Sequence, residues 1–214
     1  MPLMIWRKHM TKGIDVSSWQ GIIDFEKVRL DGICFCVCKA GGSDAGTYID
    51  KRFYENVAKA TKAGIPCGAY YFVGKGCTSA EAGKADAERF ERIIRSVRLL
   101  FPVYIDYEAP DSMNKAGNTE AVKAFINYMT EKGYLCGVYA SDISGFRDKL
   151  HLSELWDTQK WVARYGSEPK YCKPYQMWQA SSKGNIDGIY GHVDIDYCNI
   201  DYAQYIVTNH FNGF

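Results

Sequence analysis

The feature of this 214-residue chain that most restricts its fold is a regular alternation of strand and helix patterns along its first two thirds. Short apolar runs typical of strands precede segments with helical periodicity and capping residues. The strands are predicted at 12–17, 33–40, 66–73, 103–108 and 134–140, and the helices at 24–30, 50–63, 78–97 and 118–132. This alternation predicts a parallel sheet with covering helices.

The last third of the chain has a different pattern. Three more strands are predicted at 160–163, 175–179 and 192–196. The gaps between them are too short for proper crossover helices. We therefore expect an α/β fold, a TIM-like barrel of five β/α units plus three strands that lack full helices. Residues 1–11 are expected to be an N-terminal stub, and residues 12–214 a single barrel domain.

The composition excludes several classes of partner. The chain has 26 basic and 25 acidic residues without a long run of one sign, so it has no electrostatic footprint for nucleic acid or an anionic membrane surface. No apolar run approaches the roughly 20 residues of a membrane helix. We expect a monomer with neither kind of partner. Aromatic residues make up 14% of the chain, and they could line a sugar-binding cleft or simply pack in the core.

The eight cysteines and four histidines do not predict a metal site, because they lack ligand spacing and no C-x-x-C pair occurs. Cys34, Cys36 and Cys38 share one face of a predicted strand, about 6.6 Å apart per pair, which is too far for neighbours to form a disulfide directly. We interpret the cysteines as small buried apolar residues rather than a disulfide framework.

Two carboxylates follow the apolar run that begins at Val103. Asp106 and Glu108 are two residues apart, so a strand would place them on one face. Like charges held close have pKa values that are pushed apart, which gives one site a proton donor and an anion. Two solvated acids at an ordinary strand end are the alternative for an isolated pair.

A barrel gives this pair a context, because the carboxyl ends of barrel strands form the active face. Asp15 ends the first strand and Asp194 lies on the last, and these two strands are neighbours in a closed barrel. Four acids should therefore converge. Other residues at strand ends are candidates for substrate binding: Lys39, Tyr70, Phe72, Tyr139, Trp161, Tyr165, Trp178 and Gln179.

Several segments together resemble glycoside hydrolase family 25, the Chalaropsis-type lysozymes, over residues 12 to about 202. The segments that carry the resemblance are Gly13-Ile14-Asp15-Val16-Ser17-Ser18-Trp19-Gln20-Gly21, Ala63-Gly64-Ile65 through Gly68-Ala69-Tyr70-Tyr71-Phe72, Ile105-Asp106-Tyr107-Glu108, Trp161-Val162-Ala163-Arg164-Tyr165, Met177-Trp178-Gln179 and Val193-Asp194. The family fold is a barrel of five β/α units plus three strands, in agreement with the strand count.

The resemblance implies a cofactor-free muramidase that cleaves the β-1,4 bond between N-acetylmuramic acid and N-acetylglucosamine in peptidoglycan glycan strands. Glu108 would be the general acid. Asp106 would position or polarise the 2-acetamido group or stabilise charge at the ring, while Asp15 and Asp194 would bind substrate and tune the pair. Sequence spacing leaves the stereochemical course open, and substrate assistance is our hypothesis. A glycan-binding barrel without activity and a chitinase-like hydrolase are the alternatives.

Two departures from the family pattern stand out. The family often has Lys-Ala-Ser/Thr-Glu-Gly after the second strand, whereas this chain has Lys39-Ala40-Gly41-Gly42-Ser43, so a role for that Glu does not transfer. Asp196 stands where the family usually has Asn, and it would raise neighbouring pKa values if it pointed inward. We expect an extracellular or cell-wall location, although residues 1–10 show no signal peptide that would reveal the export route.

Overall fold

In a computed structural model, which describes residues 6–214, the chain forms a closed eight-stranded barrel with helices on its outer surface. The strands are β1 (Trp6–Val16), β2 (Phe35–Gly42), β3 (Tyr48–Ile49), β4 (Cys67–Phe72), β5 (Val103–Asp106), β6 (Cys136–Ser141), β7 (Gln159–Ala163), β8 (Met177–Gly184) and β9 (Val193–Ile200). The α-helices are α1 (Phe25–Leu30), α2 (Phe53–Lys62), α3 (Ala80–Ile94), α4 (Lys115–Glu131) and α5 (Tyr202–Thr208).

The strands follow one another around the barrel in chain order, except that the two-residue β3 only pairs with the end of β2. Pairing of β1 with both β2 and β9 closes the barrel. The predicted eight-stranded barrel is confirmed. Because β1 begins at Trp6, the boundary predicted at residue 12 falls inside this strand.

The sheet is mixed, since β9 runs antiparallel to both of its neighbours while the other barrel strands are parallel. The short loop between Gly184 and Val193 allows a hairpin but not a parallel crossover. Asp194 therefore lies at the amino end of β9, although the sequence pattern predicts that the acids converge at the carboxyl ends of the strands. The reversed direction nevertheless brings Asp194 level with Asp15, its partner in the register of β1 and β9.

The helices α1 to α4 lie where the sequence predicts them, and each has a side-chain cap or an apolar face that explains it. In α3, the Ser79 hydroxyl accepts a hydrogen bond from the Ala82 backbone N–H, and Ala87, Phe90 and Ile94 are buried against the sheet. After β6 the chain forms a π-helical turn (Asp142–Arg147) and a 3-10 turn (Leu152–Leu155) in place of a long helix.

Helix α5 was not predicted. It follows β9 directly and begins at the N-cap Asp201, whose side chain accepts a hydrogen bond from the Gln204 backbone N–H. Tyr202 is buried, and its hydroxyl donates to Gln159 Oε1 at 2.7 Å. Because Gln159 starts β7, this bond ties α5 to the end of the barrel opposite the carboxyl ends of the parallel strands.

Two apolar cores hold the fold, one inside the barrel and one between the barrel and its helices. Phe35 and Phe101 stack in the inner core with ring centroids 4.4 Å apart. A Cβ at Gly13 would lie 2.3 Å from the Phe35 ring, so only glycine lets that ring fill the barrel at this point. In β2, Val37 faces the inner core and Cys36 the outer one, as predicted from strand alternation.

The cysteines behave mainly as buried apolar side chains. Seven of the eight are buried and Cys34 is exposed. The Cys36 and Cys38 sulfur atoms are 3.7 Å apart, too far for a disulfide. Within residues 6–214 no helix is long and apolar enough to cross a bilayer.

Candidate active site

A cleft of about 300 Å³ opens at the end of the barrel where the parallel strands finish. It contains all the residues predicted for the site except Trp178. The residues that line it are Asp15, Ser17, Trp19, Gln20, Lys39, Tyr70, Phe72, Asp106, Glu108, Tyr139, Trp161, Tyr165, Gln179 and Asp194.

Asp106 is the last residue of β5 and lies at the floor of the cleft, with 4% of its surface exposed. Its Oδ1 atom is buried and has no hydrogen-bond partner among the described residues. Burial raises the pKa of Asp106 well above its usual range, and the charge of Glu108 raises it further, whereas Lys39 lowers it. The carboxyl group therefore holds a proton to higher pH than a solvated aspartate, and one of its oxygens is available to a ligand.

Glu108 lies just beyond β5, and its side chain is exposed to the cleft. The intervening Tyr107 holds the turn, because its hydroxyl donates to the Cys77 carbonyl oxygen at 2.6 Å and its backbone N–H to the Tyr139 carbonyl oxygen at 2.9 Å. The Lys149 ammonium group donates to the Glu108 backbone carbonyl. Partial desolvation raises the pKa of the Glu108 carboxyl, whereas the charges of Lys149 and Lys39 lower it.

Lys39 brings a positive charge to one wall of the cleft. Its ammonium nitrogen lies 4.5 Å from the centre of the Phe72 ring and 5.9 Å from that of Tyr70, within cation–π distance of both. The charge acts on Asp106 and on Glu108, which lowers both pKa values. The cleft therefore combines an aromatic wall with a cation beside its acids.

A second group of acids lies across the cleft, where β1 meets β9. Asp15 is 5% exposed, and its Oδ2 accepts a hydrogen bond from Gln179 Nε2 at 2.7 Å. Burial raises the pKa of Asp15 well above its usual range, and the charges of Asp196 and Asp194 raise it further. Burial and the charge of Glu108 raise the pKa of Asp194 to about 6.

Asp196 points into the barrel and is fully buried. Asp194 and Asp196 are two residues apart in β9, so they share one face of the strand. Trp161 Nε1 donates to its Oδ1 at 2.8 Å. Burial raises the pKa of Asp196, and Asp194 raises it further, whereas the bond from Trp161 lowers it. The expectation that an inward Asp196 raises neighbouring pKa values agrees with its effect on Asp15.

Gln179 connects these acids to the aromatic wall. Its Oε1 accepts hydrogen bonds from the hydroxyls of Tyr139 at 2.8 Å and Tyr165 at 3.1 Å. Trp161 lies beneath them, with its ring centre 4.4 Å from that of Tyr139 and 6.0 Å from that of Tyr70. The chain of bonds orients the amide so that its nitrogen faces Asp15.

Trp178 lies outside the cleft. Successive residues of β8 face opposite sides of the sheet, so the inward position of Gln179 turns Trp178 outward. Its Nε1 donates to the Arg164 carbonyl oxygen at 2.7 Å, and its ring packs against Tyr197 with centroids 5.7 Å apart. The structure gives Trp178 a role in anchoring the segment after β7.

The sequence interpretation missed three cleft residues in the loop after β1, namely Ser17, Trp19 and Gln20. Ser17 and Gln20 form a reciprocal capping box, and Asp50 accepts a hydrogen bond from the Ser18 backbone N–H at 3.0 Å. This frame presents Trp19 with 90% of its surface exposed. The available signal was a tryptophan in a loop that directly follows a strand ending in a candidate acid.

The arrangement defines a class of protein. An accessible acid beside a buried one, at the carboxyl face of a barrel and within aromatic walls, is the site expected of a glycoside hydrolase. Comparison of the chain with known proteins specifies the family. The model for glycosyl hydrolases family 25 matches residues 14–189, and the chain belongs to this family.

Two curated relatives are lysozymes. The autolytic lysozyme of Clostridium acetobutylicum is 30% identical over 186 residues, which are 86% of this chain and 55% of that protein. Lysozyme M1 of Streptomyces globisporus is 28% identical over 202 residues, and the match covers 86% of this chain and 66% of that one. The chain therefore spans between about half and two thirds of the length of these relatives.

Solved structures share the fold. The CTP1L endolysin superimposes with a TM-score of 0.80 at 27% identity, covering 93% of this chain and 70% of that chain. The bacterial lysozyme from Streptomyces coelicolor superimposes with a TM-score of 0.74 at 25% identity, covering 97% of this chain and 100% of that chain.

Proposed function

We propose that this barrel is a muramidase that cleaves the β-1,4 bond between N-acetylmuramic acid and N-acetylglucosamine in peptidoglycan. The observation that carries the proposal is the pair formed by Asp106 and Glu108, one buried and one exposed, in the aromatic cleft of a family 25 barrel. The names of the relatives, which include an autolytic lysozyme and an endolysin, support the same substrate.

Glu108 acts as the general acid. Its carboxyl is exposed to the cleft, so it can reach the oxygen of the bond that breaks, and its raised pKa keeps it protonated to a higher pH than a solvated glutamate. When it donates this proton to the glycosidic oxygen, the C1–O bond breaks and the leaving sugar departs as an alcohol. The resulting carboxylate then accepts a proton from the water that attacks C1.

Asp106 supports substrate assistance. Its buried Oδ1 lacks a partner among the described residues, and an acetamido N–H group of the substrate would satisfy it. Held in this way, the acetamido oxygen attacks C1 as the leaving oxygen is protonated, and the positive charge of the cyclic intermediate lies close to Asp106. Water then opens the ring, and the configuration at C1 is retained.

Asp15 and Asp194 bind the sugar from the opposite side of the cleft. Asp194 is partly exposed and its pKa of about 6 makes it an anion at neutral pH, so it can accept hydrogen bonds from sugar hydroxyls. The aromatic walls formed by Tyr70, Trp161 and Tyr165 suit the apolar faces of sugar rings. Action on the wall would take place outside the cytoplasm, and the monomeric state remains a prediction.

The experiment that tests the proposal identifies the bond that is cut. Purified peptidoglycan is digested, the products are reduced with borohydride, and mass spectrometry identifies the sugar at the new reducing end. We expect reduced muramic acid and no cleavage of chitin oligomers. Reduced glucosamine would overturn the bond assignment, and rapid cleavage of chitin oligomers would indicate a chitinase-like enzyme. Binding to sacculi without soluble products would indicate a glycan-binding barrel.

The reaction course has its own test. An enzyme that uses a protein nucleophile accumulates a glycosyl ester, which substrate assistance does not form. Incubation with a fluorinated glycoside, followed by intact-protein mass spectrometry, should show an unmodified chain. A covalent adduct mapped to Asp106, Asp15 or Asp194 would exclude substrate assistance.

A further inference from the structure

Asp196 and Asp15 form a buried pair of acids in the inner wall of the cleft. Asp196 is paired with Gly13 in β1 and with Gln179 in β8. It therefore lies two residues further along the barrel wall than the pair formed by Asp15 and Asp194. The two carboxyl groups are within hydrogen-bonding reach of each other. Neither makes an ion pair in the part of the chain that the structure describes.

The hydrogen bonds of the pair leave one place for a proton. Gln179 donates to Asp15 Oδ2, and Trp161 donates to Asp196 Oδ1. The second oxygen of Asp196, Oδ2, is buried and receives no hydrogen bond from any donor group in residues 6–214. Two ionised carboxylates would leave this buried oxygen unsatisfied and would repel each other, whereas one proton between the groups relieves both effects.

The surroundings favour retention of that proton. The titratable groups that interact electrostatically with Asp15 or Asp196 belong to β2, β4, β5, β6, β9 and the segment after β7: Cys36, Tyr70, Tyr104, Tyr139, Asp194 and Tyr165. The pKa values of the thiol and the tyrosines are raised, mainly by burial, so these groups are neutral near pH 7. Of this set, Asp194 alone carries a charge there, and its sign favours protonation of the pair.

We propose that Asp15 and Asp196 share a single proton in the folded protein through neutral pH, and that Asp196 is thereby a positioning residue for the cleft. The shared proton keeps Asp15 in place as the acceptor of the Gln179 amide. Gln179 in turn accepts the hydroxyls of Tyr139 and Tyr165, which line the cleft. Loss of the proton at higher pH makes the pair a dianion and loosens this chain of bonds.

A carboxyl titration tests the pair directly. In protein labelled with ¹³C-aspartate, the side-chain resonances of Asp15 and Asp196, assigned from the two single Asn variants, should titrate together in two separated steps. Asp196→Asn should leave Asp15 with a single step at lower pH. Independent ionisation of both groups near the ordinary aspartate pKa in the wild type, or an unchanged Asp15 titration in the variant, would overturn the proposal.

Thermal stability gives a second readout that does not require activity. Because the folded protein retains the proton to a higher pH than the unfolded chain, it binds more protons above the ordinary aspartate pKa, and the free energy of unfolding falls as pH rises through this range. Asp196→Asn removes this loss and keeps an acceptor for Trp161. Its melting temperature, relative to wild type, should increase from pH 4 to pH 8. A constant difference would contradict the proposal.

Asp142→Asn is the matched control, since Asp142 is also buried but lies outside the cleft. Burial acts to raise its pKa, but hydrogen bonds from the Cys172 and Lys170 backbone and from Arg164 lower it overall. This carboxylate therefore stabilises the fold above the ordinary aspartate pKa. Its Asn variant should lose melting temperature at neutral pH and recover toward wild type as the pH falls, opposite to Asp196→Asn.

The consequence for turnover rests on the proposed muramidase activity. Against peptidoglycan, the wild type should lose kcat/KM more steeply on the alkaline side than Asp196→Asn, because the wild type loses two protons there and the variant one. Parallel alkaline slopes, together with a confirmed carboxyl titration, would remove the positioning role and leave the shared proton. Absence of any hydrolysis by the wild type would count against the proposed function and not against the pair.

Discussion

The two acid pairs of the cleft differ in what surrounds them. Asp106 and Glu108 lie at the end of one strand, with Glu108 open to solvent. Burial raises both pKa values, whereas the charge of Lys39 opposes this rise at both carboxyls and that of Lys149 opposes it at Glu108. Asp15 and Asp196 come from the two strands that close the barrel. The uncharged side chains of Gln179 and Trp161 donate hydrogen bonds to them. The first pair therefore has a proton that solvent can reach and lysine charges nearby, whereas the proton of the second pair is enclosed in the protein.

This difference suits the first pair to proton transfer to a substrate and the second pair to positioning other side chains. A proton that must reach a substrate requires an exposed carboxyl, which Glu108 provides. A proton that fixes the orientation of other side chains is better kept from solvent, as it is at Asp15. Raised pKa values occur in both pairs, so a perturbed pKa by itself does not distinguish a reacting acid from a supporting one. Variants of the two pairs should therefore change different quantities.

The largest effect is expected at the open pair. Glu108→Gln removes the transferable proton and should lower kcat/KM on peptidoglycan by about 10³-fold, the usual contribution of a positioned general acid. Turbidity clearing of purified sacculi measures the rate, and a pelleting assay measures binding, which should be retained. Turnover close to wild type would remove Glu108 from this role.

A smaller loss is expected for the buried member of that pair. Asp106→Asn keeps the size of the side chain but removes the carboxyl group that lies beside the charged intermediate, and should reduce kcat by about 10²-fold. Single-turnover kinetics on a reduced muropeptide oligomer check the effect. Because Asn can still contact the acetamido group, KM should change less than kcat. A change confined to KM would show that Asp106 only binds substrate.

The rim of the cleft should affect binding more than rate. Trp19 is 90% exposed in the loop after β1, and Trp19→Ala should raise KM about fivefold with little change in kcat, since a stacked aromatic contact contributes about 1 kcal/mol. Trp156→Ala is the control, because Trp156 is also exposed but does not line the cleft. Equal effects of the two substitutions would exclude a specific contact at Trp19.

The smallest effect tests the cations around the open pair. Lys149 lowers the pKa of Glu108, so Lys149→Gln should raise that pKa and keep the acid protonated at higher pH. On the alkaline side of the profile, kcat/KM relative to its maximum should be about two- to threefold higher than in wild type. Lys115→Gln, whose charge acts on Asp148, should leave the profile in place.

Much of the fold followed from local sequence patterns. Strand alternation and helical periodicity are properties of neighbouring residues, so the eight barrel strands and helices α1 to α4 could be predicted. Asp15, Asp106 and Gln179 were found for the same reason, since each ends or lies within a patterned strand. The resemblance implied roles for these acids, which spacing alone does not define and which remain predictions.

The features that were missed depend on contacts between distant parts of the chain. The antiparallel direction of β9 depends on how the hairpin after β8 closes the barrel. The outward position of Trp178 depends on which face of β8 points into the barrel. The neighbouring Gln179 defines the inner face by its hydrogen bonds with Asp15 and Tyr139, which are distant in the sequence. Helix α5 is the exception, because the N-cap Asp201 and the apolar spacing of Tyr202, Tyr205 and Ile206 are local signals that could have predicted this short helix.

The seam between β1 and β9 has a consequence for synthesis of the protein. Asp15 emerges from the ribosome early, but its partner Gln179 follows 164 residues later and Asp196 later still. Contacts over such sequence distances form late in folding. A nascent or truncated chain that ends before β9 therefore lacks one wall of the cleft. With the proposed function, a cell that makes this protein would hold no active muramidase until almost the entire barrel had been translated.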